Sequence, residues 1–154
     1  MMNTENRCVL LVEDDSNDVL LVQRAFRKAG ATAPMHVVKD GQAAMDYLNG
    51  SGVYADRTAH PMPALVLLDL KLPRKSGHEV LTWLRAQPAL KRTPVVVLTS
   101  SKESTDVNRA YDLGANSYLV KPVAFDSLMQ LIQALSQYWM VFNESPDLVQ
   151  AENA

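Results

Sequence analysis

A doubly wound α/β sandwich, five parallel strands covered on both faces by helices, is the architecture this 154-residue chain predicts. Three observations lead there. Five short apolar runs alternate with amphipathic stretches of helical period along the chain. The runs are continuously apolar and rich in β-branched residues, as in strands buried on both faces. Right-handed crossovers then leave the doubly wound arrangement as the economical solution.

The elements follow in order. Cys8 to Val12 (CVLLV) is the first apolar run. A helix is predicted from Asn17 to Ala29, with Val19, Val22, Ala25, Phe26 and Ala29 on one stripe and Gly30 as its stop. Met35 to Val38 is a weaker second strand, and Gln42 to Leu48 a short helix. Asn49 to Pro63 is dense in turn formers and reads as a long connection. Ala64 to Leu68 (ALVLL) is the third strand, and His78 to Ala86 carries Val80, Leu81 and Leu84 at helical spacing. Pro94 to Leu98 (PVVVL) is the fourth strand, followed by a helix from Glu103 to Leu113 that Gly114 ends. Ser117 to Val120 (SYLV) is the fifth strand. A last helix runs from Ala124 to Phe142, with Leu128, Leu131, Ile132, Leu135 and Trp139 aligned. Residues 1–142 thus form one domain, and 143–154 are expected to be a flexible tail.

Bulk properties restrict the function. Hydrophobic residues make up 47% of the chain and charged ones 21%, which fits a globular domain. A net charge of -2 gives no electrostatic reason to expect nucleic acid or an anionic membrane as partner. One cysteine, Cys8, excludes an internal disulfide or a CxxC site, and its place in a strand makes it a small buried hydrophobe. Neither a signal-peptide core nor an apolar run long enough to cross a bilayer is present, so a cytoplasmic location is expected.

In such a sheet, function gathers beyond the carboxyl ends of the strands. The residues there are Glu13 and Asp14, then Asp69, then Thr99 and Ser100, then Lys121. Three carboxylates meeting in one crevice repel unless a cation joins them. Oxygen-only donors favour a hard ion such as Mg²⁺. Beside such an ion Asp69 suits nucleophilic attack on phosphorus, giving an acyl phosphate. Thr99 can donate a hydrogen bond to a phosphoryl oxygen and Lys121 can pair with its charge.

Four segments, "LLVEDD" (10–15), "LLDLKLPRKSG" (67–77), "VLTSS" (97–101) and "SYLVKP" (117–122), closely resemble the receiver domains of two-component response regulators. The resemblance covers residues 7 to 138. It implies the flavodoxin-like strand order 2-1-3-4-5 and Asp69 as phosphoacceptor, supplied by a sensor histidine kinase. It implies Mg²⁺ held by Asp14, Asp69, the Lys71 carbonyl, and Glu13 directly or through water. It gives Thr99 and Tyr118 switch roles: Thr99 moves toward the phosphoryl group, Tyr118 rotates inward, and the face of the fourth helix, fifth strand and fifth helix changes. The Lys121-Pro122 peptide is typically cis in the family, against a general X-Pro preference for trans.

Within the family the long loop before the third strand, "LPRKSG", "ANSYLVKP" and the aromatic end of the last helix resemble single-domain regulators paired with bacterial or cyanobacterial phytochromes. Lys71 adds a cation beside the site, and Leu72 and Ser100 depart mildly from the commonest family residues. Asp15 and Ser16 read as helix-entry residues, because they can satisfy free backbone N–H groups. His36, His60 and His78 follow no metal-ligand spacing and read as surface or loop positions. The surplus of Tyr138, Trp139, Met140, Val141 and Phe142 suggests a homodimer contact through the C-terminal helix region. Two other classes stay open. An aspartate-dependent phosphatase would place an acid-base aspartate where Lys71 stands, and a phosphorylation-independent pseudo-receiver would normally have lost an acid or the lysine. With no output domain in view, the signal is expected to leave by protein contact, and turnover of a substrate is not expected.

Overall fold

A computed structural model describes residues 7–148. The last positions of the expected tail, 149–154, lie outside these described residues. Five strands, β1 (Val9–Val12), β2 (Met35–Val38), β3 (Leu65–Leu68), β4 (Val95–Thr99) and β5 (Ser117–Val120), form one parallel sheet in the order 2-1-3-4-5. Between and after them run α1 (Ser16–Lys28), α2 (Gly41–Asn49), α3 (Gly77–Ala86), α4 (Ser104–Asp112) and α5 (Phe125–Ser136).

Both faces of the three central strands are dry. Every residue of β1, β3 and β4 is buried, as their unbroken apolar runs require. Alternate strand residues feed two cores. One joins Leu10, Val66, Leu68, Val95 and Val97 to Tyr47, Leu48, Leu81 and Leu84 of α2 and α3. The other joins Val9, Leu11, Leu65, Val96 and Leu98 to Val22 and Phe26 of α1 and Ile132 and Leu135 of α5. The edge strand β5 is only half-buried along its length. Helix α4 buries a single residue, Ala110.

Capping follows the local sequence. Asp15 caps α1, its carboxylate accepting from the Asn17 and Asp18 N–H groups, which bears out its helix-entry reading. Ser76 and Glu79 form a capping box at α3.

Two features depart from the sequence reading, the end of the last helix and His78, and a third adds to it. The last helix is not one continuous α-helix to Phe142; after Ser136 the backbone widens into a π-helical segment, Gln137–Phe142. The long connection is anchored, because Arg57 donates to the Tyr47 and Leu48 carbonyls in the last turn of α2, while the Tyr47 hydroxyl donates to the Pro61 carbonyl. His78 is a buried residue of the first turn of α3, not a surface position, since that turn is tied to the residues after β3 by the Gly77 N–H bond to the Leu70 carbonyl. His36 and His60 are half-buried and pack around the Tyr47 ring at centroid distances of 5.9 and 5.8 Å. Cys8 is fully buried, as expected, with its thiol 3.5 Å from the Pro61 carbonyl; burial pushes it up to about 11.

Candidate phosphoryl-acceptor site

The strand ends converge through the sheet's own hydrogen bonds. Glu13 N–H donates to Val38, Asp69 N–H to Val12, and Lys121 N–H to Thr99. The ladder therefore continues one residue past β1, β3 and β5, and it sets Glu13, Asp69 and Lys121 around one point. Glycine is needed just behind that point. A Cβ on Gly77 would lie 2.4 Å from the Asp69 carbonyl oxygen, so only glycine lets α3 start this close to the loop after β3. Arg74, in the same loop, adopts a left-handed backbone at φ 69°.

Oxygens of Glu13, Asp14 and Asp69 all lie within 4.8 Å of one another. Glu13 is 2% exposed, Asp69 is buried and Asp14 is exposed, so the trio opens to solvent on one side. One Asp69 carboxylate oxygen accepts from the Leu70 N–H at 2.7 Å. The other lies 3.1 Å from the Lys121 ammonium. That ammonium also bonds the Glu13 carboxylate, in a close contact, and the Asp18 carboxylate at 2.9 Å. Burial raises the Glu13 carboxyl to about 7, against the pull of its Lys121 bond. Burial alone would lower Lys121, but its bonds to Glu13 and Asp18 and the charge of Asp69 outweigh this and raise it.

Thr99 is fully buried, and its hydroxyl has no hydrogen-bond partner among the described residues. A buried hydroxyl without a partner is costly and invites an acceptor. Tyr118 is half-buried, and its hydroxyl donates to the Ser101 carbonyl at 3.0 Å. Lys71 and Ser100 are exposed, and Leu72 packs against the core of α2 and α3. The Lys121-Pro122 peptide is trans, because no described peptide bond is cis; the family's usual isomer is not the one found. Of the residues singled out from sequence, Glu13, Asp14, Asp69 and Lys121 come together. Asp18 was missed. An acid in a helix's first turn is favoured by the dipole anyway, so nothing local marked it as a partner of Lys121.

A model of the response regulator receiver domain matches residues 9–133. The chain belongs to the response regulator receiver domain family. Rcp1 of Synechocystis sp., a response regulator, is 40% identical over 134 residues, spanning 87% of this receiver chain and 89% of that protein. The protein described as "Probable methanogenesis regulatory protein FilR2" of Methanothrix harundinacea is 41% identical over 141 residues, 90% of this chain and 86% of that one. Among solved structures, the phosphorylated cyanobacterial phytochrome response regulator RcpA superposes with a TM-score of 0.85 at 37% identity, covering 92% of this chain and 99% of that one. The Mn²⁺-bound form of Rcp1 superposes with a TM-score of 0.82 at 38% identity and the same coverage. The receiver chain is thus similar to phytochrome-associated regulators in both sequence and fold. Its acidic trio, all oxygen donors, fits a hard divalent cation. No helix among the described residues is long and apolar enough to cross a membrane.

Proposed function

We propose that this receiver domain accepts a phosphoryl group on Asp69 from a histidine kinase and signals by protein contact. The observation that carries this reading is the meeting of Asp69 with two further carboxylates and one lysine at the strand ends. Asp14, Asp69, Glu13 and the Lys71 carbonyl would hold Mg²⁺, which supplies charge shielding between nucleophile and phosphoryl oxygens. An Asp69 carboxylate oxygen attacks phosphorus; the new O–P bond forms as the N–P bond to the kinase histidine breaks. The Leu70 N–H fixes the carboxylate plane from behind. Lys121 offers its charge, and Thr99 its unpartnered hydroxyl, to the phosphoryl oxygens.

The kinase expected is a bacterial or cyanobacterial phytochrome, a reading supported by the phytochrome response regulator RcpA. Switching would pass through Thr99 and Tyr118 to the α4, β5 and α5 face. The thin packing of α4, with only Ala110 buried, supports this. Among alternatives, the pseudo-receiver has no support in a site that keeps every acid and the lysine.

Incubation with Mg²⁺ and acetyl phosphate, or with a phytochrome kinase and ATP, should label Asp69 in intact-mass and peptide analysis. Asp69→Asn should take no label. A label on another residue overturns the acceptor assignment, and transfer from phytochrome kinases no faster than from an unrelated histidine kinase removes the phytochrome partner.

A further inference from the structure

We infer that Asp18 is a positioning residue for the phosphoryl site: it anchors the Lys121 ammonium over Asp69 when the other two carboxylates are engaged elsewhere. The inference rests on the phosphoacceptor reading above and deepens it. Three carboxylates hold Lys121, namely Glu13, Asp69 at 3.1 Å and Asp18 at 2.9 Å. Glu13 and Asp69 also belong to the trio that would hold a divalent ion. A cation there would draw on the same two carboxylates that face the ammonium, and like charges would then push Lys121 outward. Conversion of Asp69 to an acyl phosphate removes that carboxylate's own charge as well and turns Lys121 toward the phosphoryl oxygens. Asp18 stands outside the trio, so its bond to Lys121 survives both events.

Its placement suits an anchor. Asp18 sits in the first turn of α1, where the helix favours negative charge. The flanking Val19 and Val22 are buried in the core, so the backbone that carries it is fixed. Its side chain is 37% exposed against 12% for Lys121, so it meets the ammonium from the solvent side of the site. Lys121 is thereby confined between Asp18 and the acceptor instead of swinging into water, and a confined donor is worth more to a forming phosphoryl group than a mobile one.

The test uses the full chain with Mg²⁺ and reads two quantities. The first is the rate at which acetic anhydride acylates Lys121, followed by peptide mass mapping. The second is the rate of Asp69 phosphorylation by acetyl phosphate. In Asp18→Asn, Lys121 should be acylated about tenfold faster and Asp69 phosphorylated about tenfold slower, the usual scale for losing a supporting partner of a site. Asp18→Glu should recover part of both. Asp126→Asn, which removes the equivalent first-turn acid of α5, controls for a general helix effect and should change neither. Unchanged Lys121 acylation in Asp18→Asn overturns the inference, as does an equal rise in the Asp126 variant. If the parent chain takes no phosphoryl on Asp69, the functional reading fails, while Lys121 acylation still decides the role of Asp18.

Discussion

Glu13 carries a pH signature of the site that falls in the neutral range. Its carboxyl is raised by burial from an ordinary 4.5 to about 7, in spite of Lys121. A carboxyl raised in the folded state favours folding while protonated. Its contribution is therefore complete below about pH 4.5 and is lost as pH climbs through 7. In EDTA, urea unfolding across pH 5 to 8 should show the parent chain losing stability relative to Glu13→Gln as pH rises. A parent chain that instead gains on the variant over that window would show that the Lys121 bond outweighs burial. With Mg²⁺ added, the loss should shrink, because the ion stabilises the ionised form and displaces its proton.

The elements most sensitive to single substitutions are the loop after β3 and the start of α3. Gly77→Ala places a methyl group 2.4 Å from the Asp69 carbonyl and 2.7 Å from the Leu70 Cα, both backbone atoms. The loop must move, so both the fold and the acceptor's geometry should suffer. We expect a loss of about 1–3 kcal/mol in denaturant unfolding, the range for overpacking. Phosphorylation by acetyl phosphate should slow disproportionately to that loss. An unaltered rate would show that the acceptor tolerates the shift. At this scale the sequence was largely readable. Unbroken apolar runs located β1, β3 and β4, and strand-end acids located the site, because burial and charge act on neighbouring residues. The grip of Arg85 was not readable. It ties α3 to the Gly114, Lys91 and Thr93 carbonyls and to the Asn116 side chain, partners 6 to 31 residues away. Asp18 and the Arg57 cap of α2 escaped for the same reason, since long side chains choose partners only after the chain has folded. The break in the last helix escaped too, as its apolar pattern continues unchanged from α to π geometry.

For the whole molecule, the C-terminal surface divides into packed and exposed apolar groups. Trp139 and Met140 pack against the core of α1 and α5, which answers part of the apolar surplus. Tyr138, Val141 and Phe142 do not, and Phe142 is 75% exposed. Leu148, beyond them, is buried again. We expect these exposed side chains to support a homodimer, so a chain cut after Tyr138 should have a lower mass by light scattering at equal concentration. An unchanged mass across a concentration series would remove the dimer. The experiment is worth repeating with phosphorylated protein, since α5 borders the β5 edge where the proposed switch ends.

The sealed position of Cys8 has a practical side. With its thiol fully buried and raised to about 11, Cys8 stays in the unreactive thiol form at neutral pH and is shielded from reagents. The chain is in effect free of reactive cysteine without any substitution. A reporter thiol placed at the exposed Phe142 or Val123 would take a fluorophore or spin label alone. Distances across a dimer, or beside Lys121, would then be measurable on an otherwise unaltered molecule.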